Sequence, residues 1–235
     1  MVRVLLGQGN VSPNGLDRDG RTPLWWAAWN GYEGVMEVLL GRNDISPNKL
    51  DISGRTPIWC AALNGHKGVV EILLGRDDTS PDKSDIHGRT PLACAAWNGH
   101  EGVVEILLGG DDINPNSQDI DGRTPLWCAA VNGHEGVLKI LLGRGDINPD
   151  EPDIYGQAPL LSAAVRGHVG AVKILLGRGD VKPCRPDNDG QTPLWYATSR
   201  GHAGVVALLQ PPQSVTPSTA QGYYSSIPLT ASDYR

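Results

Sequence analysis

Five of the six histidines stand 34 residues apart, at His66, His100, His134, His168 and His202. Three of the four cysteines keep the same interval, at Cys60, Cys94 and Cys128. Aspartates recur at Asp17, Asp51, Asp85, Asp119, Asp153 and Asp187, and arginines at Arg21, Arg55, Arg89 and Arg123. These residue types could serve acid–base catalysis, thiolate chemistry or metal ligation. Catalysis, however, needs unlike groups converging on one point. A fixed interval instead lays like groups out along a line, and each histidine reads as a helix-start residue of its own unit. No Cys-x-x-Cys pair, phosphate-cradling glycine loop or His-Glu-x-x-His helix occurs. Cysteines one unit apart are too distant for a disulfide, which needs Cα atoms within about 7 Å, and when buried they act as small hydrophobes. The pattern implies no enzyme, no metal and no cofactor.

The elements that must position these residues follow from the same interval. Gly20-Arg21-Thr22-Pro23-Leu24 returns as Gly54-Arg55-Thr56-Pro57-Ile58 and again from Gly88, Gly122, Gly156 and Gly190, each step being 34 residues. Thr-Pro predicts a helix start, because threonine caps orphan N–H groups and proline is tolerated where no N–H is needed. Leu24, Ala27 and Ala28 give that helix one apolar face at i, i+3 and i+4. Asn30-Gly31 ends it, since glycine accepts the left-handed backbone of a helix C-cap. A second helix follows, as in Gly68-Val69-Val70-Glu71-Ile72-Leu73-Leu74, and a turn-rich stretch such as 77–85 leads to the next unit. One such pair cannot bury its own apolar face, so units must stack.

Thr-Pro-Leu, Ala-Ala, Asn-Gly-His and Val-Val-Glu-Ile-Leu-Leu, taken together, resemble the ankyrin repeat over roughly residues 1–210. The resemblance implies an all-α solenoid of helix-turn-helix pairs joined by β-hairpin fingers, with partners bound along a groove. There are two departures. The period is 34 rather than about 33, with the extra residue in the finger that carries Pro47, Pro81, Pro115 and Pro149. The histidine usual after Thr-Pro-Leu is Trp25, Trp59, Ala93, Trp127, Leu161 and Trp195, so a polar position of the family is here mostly aromatic. Near-identical units of this kind also resemble fungal ankyrin arrays attached to NACHT-type, innate-receptor-like (NLR-like) NTPases, where the array is the sensor half.

Val4-Leu5-Leu6-Gly7 aligns with Val38-Leu39-Leu40-Gly41, so residues 1–19 read as a partial unit made of a second helix and a finger. Residues 20–210 hold six helix pairs. Without a polar outer face at its start, the array is expected to be the end piece of a longer one, or else to tolerate a frayed first turn. Residues 211–235, rich in Ser, Thr, Pro and Tyr, read as a disordered tail.

Constant columns hold the fold, and variable columns are free to bind. Trp29, Leu63, Trp97 and Val131 lie four residues beyond the Trp25 column and share its helix face. By resemblance that face lines the groove. Trp29 and Trp97 are assigned to binding, while Trp25, Trp59, Trp127 and Trp195 are assigned to packing. The finger tips vary as well, and Asp19, His87, Asp121 and Tyr155 are the contacts expected there. The arginine row is expected to neutralise the aspartates beside it. A net charge of −6 argues against nucleic acid, and no apolar run approaches the ~18 residues of a membrane span. The expected partner is thus a protein or peptide. Four cysteines form no disulfide framework, which places the chain in the cytoplasm, with the nucleus as second choice.

Overall fold

The computed structural model describes residues 12–110 and 112–210. They form six units, each a pair of short helices. In chain order these are α1 (Pro23–Trp29) and α2 (Glu33–Leu40), α3 (Pro57–Leu63) and α4 (Lys67–Leu74), α5 (Pro91–Asn98) and α6 (Glu101–Leu108), α7 (Pro125–Asn132) and α8 (Glu135–Leu142), α9 (Pro159–Arg166) and α10 (Val169–Leu176), and α11 (Pro193–Ser199) and α12 (Ala203–Leu209). The odd-numbered helices stack on one another in one layer and the even-numbered helices in a second. The partial unit read over residues 1–19 lies mostly outside the described residues, and the tail at 211–235 lies wholly outside them.

Local chemistry sets these boundaries. Thr22 Oγ1 accepts the Trp25 amide at 3.0 Å, and Thr56, Thr90, Thr124 and Thr192 cap their helices in the same way. In the fifth unit the cap residue is Ala158, and no side chain takes its place. At the other end Asn30, Asn64, Asn98 and Asn132 each donate to the carbonyl four residues back. Helices of seven or eight residues are too short to persist alone. They are held by burial of Leu24, Ala28, Met36 and Leu39 and of their equivalents in the next four units, whereas the last unit buries only Ala197 and Val205 of its helical apolar side chains beyond the cap proline. Each such Leu or Val contributes about 1.5–3 kcal/mol relative to exposure. The alanine pairs, with almost no exposed surface, let the odd-numbered helices approach closely.

The fingers are tight turns. Asp51 N donates to Arg55 O and Gly54 N to Asp51 O, while Asp51 Oδ1 accepts the amides of Ser53 and Arg55. The expected β-hairpins contract to this turn, and no described residue belongs to a strand ladder. One main-chain bond joins each finger to the next: Ile52 N to Asp19 O, Ile86 N to Ser53 O, Ile120 N to His87 O, Ile154 N to Asp121 O and Asn188 N to Tyr155 O.

The recurring histidines do more than start helices. The ring of His66 reaches back to the preceding unit, its Nε2 lying 3.0 Å from Trp29 O, and His100, His134, His168 and His202 repeat the bond. The glycine of the preceding Asn-Gly pair is required twice over. Gly31 has φ +71°, and a Cβ there would sit 2.6 Å from His66 Nδ1.

Candidate functional site

The outer face of the odd-numbered helices carries alternating aromatic and cationic groups. The Arg21 guanidinium lies 4.9 Å from the Trp25 ring centroid. Arg55 is inserted between two rings, 5.5 Å from Trp25 and 5.6 Å from Trp59. Arg89 covers the far side of Trp59 at 5.6 Å, and Arg123 covers Trp127 at 5.1 Å. Such contacts contribute about 0.5–2 kcal/mol each, increasing as water is excluded. Carboxylates fix the guanidiniums in place. Arg55 pairs with Asp51 at 2.7 Å and Arg89 with Asp85 at 2.6 Å, whereas Arg21 and Arg123 pair with the finger-tip residues Asp19 and Asp121. The neutralising aspartates therefore come from two columns, and the arginines also stack on the indoles.

The packing role assigned to Trp25, Trp59 and Trp127 agrees with their burial. Trp59 donates its indole N–H to Arg89 O at 2.8 Å, and Trp127 to Gln157 O at 3.0 Å, each in the next unit. Trp25 differs: its buried N–H meets no partner, and its ring stacks on Trp29 at 5.2 Å and 6°. Trp195 departs from the packing assignment, being 49% exposed with no described unit beyond it.

Ala93 interrupts the row. Where the neighbouring units place an indole, the third unit has a methyl group and an open cavity of about 290 Å³. Its walls are Leu63, Ala93, Cys94, Trp97 and Cys128, with Arg89, Asp119 and Arg123 reaching in from the fingers. The missing ring also changes the exposure of the arginine beside it: the Arg89 side chain is 45% exposed, against 19% for Arg55 between its two rings. The Arg123 Nε–H is buried without an acceptor. In the sequence Ala93 reads as one more member of its column. A small residue between the indoles of the two neighbouring units, Trp59 and Trp127, is the available signal.

The proposed contacts are not equally available. Trp97 is 43% exposed, rests on Trp127 at 6.5 Å, and forms one wall of the cavity. Trp29 and Leu63 are half-buried against the cluster of Trp25, Trp59, Cys60 and Cys94. Val131 is 7% exposed and offers a partner almost no surface, whereas Val165, the valine at the same place in the next unit, is half-buried, so the flanking units rather than the residue type set the cover. At the tips Tyr155 and His87 project freely, whereas the Asp19 and Asp121 carboxylates are engaged by arginine. The column after the tryptophans behaves as expected from packing. Cys60, Cys94, Cys128 and Ser162 are buried, Trp26 at one end is exposed, and Tyr196 at the other is half-buried. Trp26 and Tyr196 bond the finger carboxylates of Asp17 and Asp187, a place that Arg55 and Arg89 occupy in the second and third units.

Among the described residues no group of three or more His, Cys, Asp or Glu is placed to hold a metal ion, and no helix is long and apolar enough to cross a membrane. What this face presents is partly uncovered aromatic surface, one open cavity and fixed cations. No curated protein sequence matches the chain. Among solved structures, the human ASB11 ankyrin repeat domain superposes with a TM-score of 0.79 at 24% identity, covering 90% of this chain and 93% of that one, a likeness of fold. A family model for ankyrin repeats (three copies) matches residues 35–119, 109–182 and 148–218. With the repeats matched over most of its length and its units stacked as that domain's are, the chain belongs to the ankyrin repeat family.

Proposed function

We propose that the chain binds another protein along the face formed by the odd-numbered helices and the fingers, acting by recognition rather than turnover. Ankyrin repeats are in general protein–protein interaction modules on a non-enzymatic scaffold. The observation that carries the reading is Trp97. It holds a large ring partly in water beside an open cavity, in a layer whose other interior tryptophans are covered. Exposed aromatic surface next to a concavity is the usual mark of an interaction site. Trp29, Leu63 and the freely projecting Tyr155 and His87 extend the contact on either side. The near-identity of the units supports a finer reading, in which the array is the sensor segment of a larger NLR-like signalling protein. Four unpaired cysteines fit a reducing compartment, the cytoplasm or the nucleus.

The wild-type chain and its Trp29→Ala/Trp97→Ala variant, matched for helix content and melting temperature, are immobilised and compared for what they retain from an extract of the source cells. A protein held by the first and lost by the second is the expected result. With that protein purified, Trp97→Ala alone weakens binding roughly thirtyfold, the effect of losing an anchor worth ~2 kcal/mol. Equal retention by both baits returns these tryptophans to packing. It then favours an adaptor or spacer that works through its finger tips or tail, a reading that the exposure of Tyr155 supports.

A further inference from the structure

We infer that the cavity at Ala93 is a receptor slot for one aromatic side chain of the partner, a tryptophan by its fit, which completes the array's own ladder of arginines and indoles. The inference rests on the protein-recognition reading above and gives it a chemical specificity.

The neighbouring units supply the template. Along the face the order is Arg21, Trp25, Arg55, Trp59, Arg89, Ala93, Arg123, Trp127, so one ring is missing between two guanidiniums. Arg89 stacks on Trp59 with one side, and Arg123 stacks on Trp127 with one side. Both also line the cavity, where the ring that would sit between them is absent. A guanidinium prefers an aromatic face to an aliphatic group, because the ring quadrupole is negative there. Position is specified as well. Trp59 donates its indole N–H to Arg89 O, one unit ahead. The equivalent acceptor for a ring above Ala93 is Arg123 O, which holds only the Asp119 amide and keeps a lone pair free. Trp97 closes one side of the slot with a partly exposed ring, the edge against which an incoming indole packs. Aliphatic side chains would fill the volume but satisfy neither cation nor carbonyl, and a carboxylate would meet the Asp119 carboxyl group beside two guanidiniums already paired with Asp85 and Asp121.

The test uses Ala93→Trp, which fills the slot from within by a residue that the second and fourth units already accommodate. With two cation–π contacts and one hydrogen bond gained, its melting temperature is expected to rise by roughly 3–8 °C. The probe is N-acetyl-L-tryptophanamide, with N-acetyl-L-leucinamide as control, read on the Arg89 and Arg123 Nε–Hε NMR signals. In the wild type the tryptophan amide shifts both signals, with Kd in the millimolar range. The leucine amide does not shift them, and Ala93→Trp shows no response to either. A lowered melting temperature, equal shifts from both amides, or tryptophan-amide shifts that persist in Ala93→Trp would each overturn the slot. A protein partner bound equally by wild type and Ala93→Trp, yet lost by Trp29→Ala/Trp97→Ala, would overturn the slot while leaving the recognition face standing.

Discussion

Cys60, Cys94 and Cys128 lie in the odd-helix layer, and burial pushes all three thiols up, Cys128 to about 12. The thiolate is the reactive form, so these sulfurs lack both charge and access at mildly alkaline pH. Cys184 is exposed in the last finger. Titration of the native chain with a disulfide reagent near pH 8 should therefore consume one thiol quickly, and all four after unfolding. Two or more fast thiols in the native state would mean that the layer opens far more readily than its packing implies. These roles could be read from the interval, since a cysteine at a repeating helical position has no second sulfur within reach. The histidines were legible only in part. Their place at a helix start follows from sequence, but the bond from His66 to Trp29 O spans 37 residues and depends on how two units stack. The finger-tip aspartates show the same limit: Asp19 and Asp121 vary as binding residues would, yet their carboxylates are committed to Arg21 and Arg123.

At the scale of the helix, five units have a threonine cap and the fifth has Ala158. Restoring the hydroxyl with Ala158→Thr should stabilise the chain by about 1 kcal/mol, the usual worth of such a cap. The urea midpoint would rise with an unchanged slope, and no rise would mean that the buried site cannot admit the larger side chain. Helix boundaries were legible because Thr-Pro and Asn-Gly are local signals. Which column faces outward was not, because exposure is set by the neighbouring units. Val131 and Trp97 occupy equivalent places, yet one is covered and the other projects. The aromatic row posed the same difficulty. Its interruption at Ala93 is plain in sequence, whereas the cation–π order that gives the gap its meaning appears only once fingers and helices are placed together.

Across the whole molecule, the loops between units repeat an arginine–aspartate pair: Arg42–Asp44, Arg76–Asp78, Arg144–Asp146 and Arg178–Asp180. Three of these arginines, Arg76, Arg144 and Arg178, also donate to the last carbonyl of the even-numbered helix one unit back, at Leu40, Leu108 and Leu142. The arginine bond holds each of the four carboxyls below the ordinary value of 3.8. A group whose folded value is depressed contributes stability that is present above its unfolded value and lost as pH falls through the folded one. Asp82 and Asp153, pushed up by burial, act in the opposite sense, and the four pairs outnumber them. The urea midpoint should therefore hold between about pH 7 and 5 and fall below about pH 4, with Asp78→Asn flattening the fall and high salt shrinking it. An acid limb untouched by Asp78→Asn would remove these pairs from the account. The bonds at the joints themselves carry a different consequence. At all five, the finger amide and the histidine ring end on a main-chain carbonyl, an acceptor that every amino acid possesses. A joint of this kind does not check which neighbour it receives. Deleting, copying or transplanting a whole 34-residue block in the gene would leave each splice bonded as before and carry the Ala93 opening to a new place along the row.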